Sequence, residues 1–369
     1  MKTFLEYVTI TQLVILLLKK SSFVFIELTN ESYFYFILGI CIMMEIRKLQ
    51  LIGGSSYMVS LPKDWVKANK LKQGDEIILE IENSFITLYP KGFKENIRIS
   101  KVVITDLKRY DEKFLKRFLY ALYIQGIDEI IIEDKKVTPR LIAKISEIVK
   151  SLIGMEIVDT KDKVVLRCLT ITDFDVYSVV RRMSQIVQTM IENIIDAINR
   201  RDFSSLSELK NLEEDTDRLY LLAVRQEHRL VREFSSPAKW SELRLILGIR
   251  TVAKLVEEII DNLGDFSRLI ASMNEGELEV FKKFLIELNE AFEMVSRAYF
   301  ESNLELSEDS IQLLEDIENR IIERIEKDPQ LVLDYLLSIC RHMKSIGEIS
   351  LNKSVRESLE GIRELKQKA

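Results

Sequence analysis

The chain is poor in the residues that form many zinc and redox sites. It has 369 residues, of which 2 are histidines and 3 are cysteines. Cys41, Cys168 and Cys340 lie far apart, without a C-x-x-C pair or a nearby histidine partner. This spacing argues against both a thiolate zinc site and a disulfide framework. We therefore expect a reducing, cytoplasmic location.

Long apolar runs are also missing. Two runs, within residues 7–18 and 33–44, are each about a dozen residues long, whereas a membrane-spanning helix needs roughly 20. We therefore expect no integral membrane segment, and the order of charges does not fit a signal peptide. We expect translation to begin at Met43 or Met44 and interpret residues 1–43 as an over-extended N-terminus, not a folded domain. The alternative is a membrane-associated leader.

The charge balance is slightly acidic. There are 53 Lys and Arg residues against 59 Asp and Glu residues, a net charge of −6. This argues against a general nucleic-acid or membrane coating but leaves room for a local basic patch. Because 47% of the residues are apolar, a chain of this length can form two or three domains with real cores.

Residues 44–92 read as a small β module. Two short apolar strands flank Gly53-Gly54, Pro62 opens a short helix, and a hairpin turns at Asn83-Ser84. Fewer than fifty residues of this kind cannot bury a good core alone, so we expect the module to dimerise.

Two motifs carry a family resemblance for this module. S-L-P-K-x-W occupies residues 60–65 and L-K-x-G-D-E residues 71–76. They resemble the AbrB/SpoVT family of swapped-hairpin DNA-binding domains, in which two chains interleave into one small barrel. The resemblance implies a DNA-binding face that carries Arg47, Lys48, Lys63 and Lys67. The alternative is that these basic residues only keep a dimerisation module soluble, since acidic residues leave it nearly neutral.

The middle segment, residues 97–170, alternates strands with helices and predicts a small α/β layer. A helix begins at Thr138-Pro139, where the threonine is a cap and the proline takes the first helical position. The segment has no phosphate-binding glycine loop, nucleophile elbow or metal-spaced histidines. It is interpreted as a linker or a sensor domain.

After residue 173 the sequence predicts six long helices with short connections. Two patterns recur. L-E-x-x-x-D-R-L at 212–219 returns as L-E-x-x-x-N-R-I at 314–321, and L-G-D-F-S at 263–267 returns as I-G-E-I-S at 346–350. The region is therefore an internal duplication of two three-helix bundles. Its bounds are residues 173–272 and 275–353, followed by a polar tail at 354–369.

This region resembles the PhoU family of phosphate-signalling regulators, which are built from two three-helix repeats. The likeness rests on D-N-L-G-D at 261–265 and on the acidic pair of the second helix. In that family E/D-x-x-x-D pairs bind metal clusters, which implies a site at Glu213, Asp217, Asp261 and Asp265. The combination with an AbrB-like module resembles proteins known from archaea.

The helical period gives these acids a shared face. Positions four apart lie about 40° from each other, so Asp261 and Asp265 form one carboxylate stripe, as do Glu213 and Asp217. Gly264 lowers helix stability by about 1 kcal/mol, which favours a neighbouring helix or ion that comes too close for any side chain at this position. Oxygen ligands suit Mg²⁺, Mn²⁺ or iron, and the lack of histidine disfavours zinc. The alternative is a solvated acidic face.

The second repeat departs from the pattern. Asn319 replaces an aspartate and Lys344 takes the first acidic place of the third-helix motif. We expect the second site, with Glu315 and Glu348, to be weakened or lost, with the ammonium group in place of the ion.

Catalysis is not expected. Neither His228 nor His342 has a glutamate three residues before it, which argues against a di-iron site, and no nucleophilic triad can be proposed. The favoured function is a phosphate-uptake regulator that binds DNA as a dimer and senses phosphate status through metal or a transporter partner. The first alternative is an adaptor that docks on a phosphate transporter or sensor kinase. A metal-dependent hydrolase is the second.

Overall fold

The computed structural model describes residues 24–29, 32–37, 40–82, 85–92, 101–135, 137–169, 175–233, 240–328 and 330–368. The chain divides into two compact units. One comprises residues 1–79 and 88–92, and the other comprises residues 80–87 and 93–369.

Three strands precede the β module. They are β1 (Val24–Thr29), β2 (Ser32–Ile37) and β3 (Ile40–Glu45), which pair antiparallel in the order β1-β2-β3. The sequence reading assigned no strands here. The translation start expected at Met43 or Met44 stays a prediction. Residues 1–23 lie outside the described residues.

The β module follows the predicted order of elements. It contains β4 (Gln50–Ile52), β5 (Ser56–Met58), the short helix α1 (Lys63–Ala68), β6 (Ile77–Glu82) and β7 (Phe85–Pro90). The β4–β5 turn needs Gly53 and Gly54, whose φ angles are +61° and +76°, in the region that favours glycine. β4 pairs with β5 and β6 with β7, in two separate two-stranded sheets.

This module buries almost nothing within its own chain. Among residues 45–79 and 88–92, Tyr89 is the large apolar side chain that is buried. Many others in this unit are exposed: Ile46, Leu49, Leu51, Ile52, Tyr57, Met58, Val59, Ile78, Leu79 and Leu88. A single copy therefore lacks a core, as expected for a module that needs a partner.

The α/β layer is a mixed four-stranded sheet with two helices on one face. Its elements are β8 (Lys101–Ile104), α2 (Glu112–Ile124), β9 (Glu129–Ile132), α3 (Pro139–Lys150), β10 (Met155–Asp159) and β11 (Val164–Cys168). The strand order is β10-β11-β9-β8, and β8 is parallel to β9. Buried residues of both helices, such as Leu119 and Ile145, pack on Ile130 and Leu166 of the sheet.

Long helices form the rest of the described chain. The first repeat contains α4 (Val176–Arg200), α5 (Leu209–Glu233) and α6 (Trp240–Ile270), and the second contains α7 (Glu275–Glu301), α8 (Leu304–Lys327) and α9 (Leu331–Lys368). Both repeats contribute to one continuous core, which includes Val187, Ile260, Leu288 and Leu336. No described helix is both long enough and apolar enough to cross a membrane.

One helix end differs from expectation. Apolar periodicity predicts an end of the last helix near Lys353 and a polar tail, whereas α9 continues to Lys368. No proline follows Lys353, and the polar residues after it are mostly good helix formers. A loss of apolar periodicity therefore marks the end of the core, not the end of the helix.

The α/β layer and the first repeat meet at Arg225 on α5. Its guanidinium is 2% exposed, and Nη1 donates to the backbone oxygens of Tyr123 at 2.7 Å and Ile127 at 2.9 Å. Nη2 forms an ion pair with Asp128, and the guanidinium carbon lies 4.8 Å from the centre of the Tyr123 ring. Arg225 thereby satisfies backbone acceptors at the end of α2 and fixes the layer to the bundle.

Candidate functional site

The predicted acidic residues occupy facing helices of the first repeat. Glu213 and Asp217 lie on α5, and Asp261 and Asp265 lie on α6, which packs against α5. Each pair is four residues apart and therefore lies on one side of its helix. The fold thus brings the two predicted stripes onto adjacent helices.

Gly264 makes room for the Glu213 carboxylate. A Cβ added at Gly264 would lie 1.6 Å from Oε1 and 2.6 Å from Cδ of Glu213. No side chain can occupy that space while Glu213 keeps its position. The glycine between the two aspartates is therefore explained by the close approach of an acidic side chain from the neighbouring helix.

A cation of the chain already occupies part of this face. Arg268, one turn after Asp265 on α6, donates from Nη1 to Oε1 of Glu213 at 3.1 Å and forms an ion pair with Asp265. Its guanidinium therefore stands where a bound cation would neutralise the same two carboxylates. Arg268 is not among the residues predicted from the sequence, although its position three residues after Asp265 is a usable signal.

Glu257 extends the stripe on α6 by one turn and was also missed. It is four residues before Asp261 and forms an ion pair with Lys254. Loss of surrounding water, followed by the charges of Glu257, Asp217 and Glu213, raises the pKa of Asp261 to about 6. The pKa of Asp217 is also raised, mainly by loss of water and then by Glu257. These carboxylates repel one another in the absence of an added cation.

The arrangement fits a cation in its chemistry, but the side chains are not gathered around one point. Among the described residues, no three His, Cys, Asp or Glu side chains converge to hold a metal ion. The Glu213 carboxylate beside Gly264 and the Arg268 guanidinium that pairs with it both fit a face that attracts positive charge. A metal here would be held by Glu213, Asp217, Asp261 and Asp265 after Arg268 releases two of them.

The second repeat holds its own positive charge. Lys344 forms an ion pair with Glu318, to which Arg341 also donates from Nε at 2.7 Å. Glu318 is only 12% exposed, and it was not among the predicted residues, whereas Glu315 and Glu348 are both exposed. The ammonium group therefore has a fixed carboxylate partner, different from the two residues that the repeat pattern predicted.

The glycine of the second repeat has another neighbour. A Cβ at Gly347 would lie 2.9 Å from Cγ1 of Ile311 on α8. Gly347 thus permits close packing of two helices, whereas Gly264 admits a carboxylate. The same position in the two repeats serves packing in one and an acidic site in the other.

The predicted DNA-binding residues of the β module are exposed. Lys48, Lys63 and Lys67 make no ion pair among the residues that the structure describes, and Lys63 and Lys67 lie one turn apart on α1. Arg47 forms an ion pair with Glu45. Three of the four residues therefore present positive charge to solvent.

Comparisons with known proteins identify two families in the chain. Residues 50–96 match the family described as antidote-toxin recognition MazE, bacterial antitoxin, and residues 180–270 match the PhoU domain. The crystal structure of PhoU from Pseudomonas aeruginosa is similar, with 13% sequence identity and a TM-score of 0.36, over 49% of this chain and 92% of that chain. No curated protein matched the chain.

The two family matches confirm both resemblances, and the elements of the structure confirm the predicted fold class. The chain carries a MazE/AbrB-type domain, a small α/β region and a helical region with a PhoU domain. The PhoU match covers the first repeat. Both matched families are regulatory rather than catalytic.

Proposed function

We propose that this protein, which joins a MazE/AbrB-type domain to a PhoU domain, is a phosphate-responsive regulator that binds DNA as a homodimer. The observation that carries the proposal is the presence of both domains in one chain. A PhoU domain suggests phosphate signalling, and the N-terminal domain supplies a means of contact with DNA. The bundle would receive the signal as a bound metal ion or through a transporter or signalling partner.

The homodimer is supported by the missing core of the β module. Leu51, Tyr57 and Leu79 have 57%, 71% and 56% of their surface exposed in a single chain. Such an apolar surface is unfavourable in water, and interleaving with a second copy would cover it. The two copies would also double the number of lysines that face DNA.

The DNA contact would be electrostatic at first. Lys48, Lys63 and Lys67 would neutralise phosphates and release counterions from the DNA. Because added salt reduces the free energy gained by this release, affinity would fall as the salt concentration rises. Arg47 would contribute after it leaves Glu45. Since acidic residues leave the module nearly neutral overall, DNA binding depends on this local concentration of lysines.

The test is the salt dependence of DNA binding, measured by fluorescence anisotropy with a labelled duplex and the full chain. We expect Lys63→Ala with Lys67→Ala to reduce the slope of log affinity against log salt by about 0.9 for each lost phosphate contact. The matched control, Lys113→Ala with Lys161→Ala, removes the same charge from the α/β layer and should leave the slope unchanged. A dimer that ignores DNA even at low salt would refute DNA binding.

Metal sensing is the second part of the proposal. The close approach of the Glu213 carboxylate to Gly264 and the raised pKa values of Asp217 and Asp261 support a site for a hard cation such as Mg²⁺, Mn²⁺ or Fe²⁺. The ion would supply positive charge that relieves the repulsion between α5 and α6. Glu213 and Asp265 would join the site in exchange for their pairs with Arg268.

Elemental analysis of chelator-free protein after repletion with these ions tests the site. We expect bound metal in the parent and its loss in Asp261→Ala with Asp265→Ala. Glu192→Ala with Asp196→Ala, which removes an exposed acidic pair at the same spacing on α4, is the control and should retain the metal. Equal metal content in both double variants would place the ion elsewhere, and metal-free parent protein would refute metal sensing.

A non-DNA adaptor is the other candidate, and the Arg47–Glu45 pair favours it because it removes one predicted contact. In that case the β module only dimerises, and the bundle docks on a phosphate transporter or sensor kinase. Dimerisation without any affinity for DNA at low salt is the result that distinguishes this function.

A further inference from the structure

The α/β layer contains a cavity that neither matched domain includes. Its volume is about 370 Å³, and it is lined by Tyr110, Thr138, Arg140, Leu141 and Lys144. It lies outside the bundle face that carries the acidic residues and outside the β module. A volume of this size falls within the range of small-molecule sites in proteins, roughly 300 to 1,000 Å³.

The position of the cavity in the sheet is one at which α/β folds bind ligands. β8 and β9 are parallel, so their carboxyl ends meet at one edge. Tyr110 belongs to the segment after β8, and Thr138 and Arg140 follow β9 at the start of α3. Ligands of open α/β sheets bind beyond the carboxyl ends of their parallel strands.

The polar side of the cavity is basic. Arg140 is exposed and makes no ion pair among the residues that the structure describes. Lys144, one turn later, has only a 3.5 Å pair with Glu112, whose side chain is 67% exposed. Exposed pairs of this kind are weak, so an anion can take over the ammonium group. Arg140 and Lys144 together favour a ligand with a doubly charged group.

The acidic residues closest to these loops already have partners. Asp134 accepts hydrogen bonds from the Tyr110 hydroxyl and from the Leu107 backbone N–H, the second at 2.8 Å. Asp111 caps α2 and pairs with Arg109. The Tyr110 hydroxyl donates to Asp134, and the residue lines the cavity. The Tyr110 ring and the buried Leu141 side chain form the apolar wall.

We propose that this cavity binds a small organic phosphate, with the phosphate on Arg140 and Lys144 and an aromatic or apolar portion against Tyr110 and Leu141. Inorganic phosphate fills only a fraction of about 370 Å³ and leaves the apolar wall uncovered. A nucleoside monophosphate has both the charge and the flat ring that the two walls require. The α/β layer is then a ligand-binding domain, separate from the proposed metal site and DNA contact.

Isothermal titration of the full chain with adenosine monophosphate and with inorganic phosphate tests this proposal. We expect the nucleotide to bind at least ten times more tightly than inorganic phosphate. Arg140→Ala with Lys144→Ala should weaken nucleotide binding on the order of 100-fold, because each lost contact to a charged group accounts for roughly tenfold. Lys150→Ala, an exposed lysine on the same helix that pairs with Glu147, should bind like the parent.

Several results would overturn the proposal. Absence of nucleotide binding at millimolar concentration would refute a ligand site, and equal affinities for both probes would refute the apolar wall. Unchanged affinity in the double variant would place the phosphate elsewhere. Arg140→Lys keeps the charge and should retain most of the affinity, and circular dichroism checks that each variant is folded. If Arg140→Lys and the double variant both lose affinity with unchanged spectra, a simple charge contact is refuted.

Discussion

The two repeat glycines provide a direct test of what each accommodates. Gly264→Ala should gain up to about 1 kcal/mol of helix propensity and displace the end of the Glu213 side chain, whose Oε1 would lie 1.6 Å from the new Cβ. The displaced carboxylate is at the flexible end of its side chain and loses one hydrogen bond to Arg268, a cost of about 1 kcal/mol. The two effects nearly cancel, so we expect a change in the free energy of unfolding below about 1 kcal/mol.

Gly347→Ala should behave differently. Its Cβ would meet Cγ1 of Ile311 at 2.9 Å, within a packed interface, and overpacking of this kind costs about 1 to 3 kcal/mol. After the gain in propensity, we expect a net loss of up to about 2 kcal/mol. Urea unfolding followed by circular dichroism compares both variants with the parent. A loss for Gly264→Ala that equals or exceeds the loss for Gly347→Ala would refute the contrast between a carboxylate and a packing contact.

Three further results are expected. In metal-free protein, Asp261→Asn should raise the free energy of unfolding at pH 7 by roughly 1 kcal/mol, a figure reduced for the screening of this exposed side chain by solvent. At pH 3.5 the substitution should not raise it. The reason is that the folded-state pKa is raised to about 6, so ionisation disfavours the folded state as pH rises from about 4 to 6; a larger gain at low pH would contradict this sign. Arg225→Met should destabilise by about 2 to 4 kcal/mol in urea, and Arg182→Met, at an exposed site on α4, by less than about 0.5 kcal/mol; equal effects would refute the buried contact. Light scattering should report a dimer for the parent and a monomer for Leu51→Lys with Leu79→Lys, and a dimeric double variant would place the interface elsewhere.

The sequence predicted most of the architecture because its signals are local. The glycines, prolines and caps at Gly53, Pro62 and Thr138 mark element ends, and apolar periodicity marks the helices. The acidic pairs were expected on the second and third helices of the first repeat from the helical period and the PhoU resemblance. This success depends on the regular spacing of α-helical positions.

Contacts between distant residues were not predictable in the same way. Glu318, which was not among the predicted site residues, pairs with Lys344 because it lies on a less exposed side of α8 than Glu315, and no sequence spacing reveals that. The pair of Arg268 with Glu213 spans 55 residues and depends on how α5 and α6 cross. The end of α9 was misplaced because polar residues can continue a helix after the core has ended.

The burial of Arg225 limits how the chain can be divided. A bundle expressed from residue 175 onwards would expose a guanidinium that now bonds Tyr123 and Ile127, and its α5 would carry an uncovered apolar and charged surface. Arg225 lies eight residues from Asp217 on the same helix, about 12 Å along its axis. A shift of α5 at the acidic face would therefore reach the α/β layer through a single rigid element. Fragments for crystallisation or binding studies should keep residues 101–369 together.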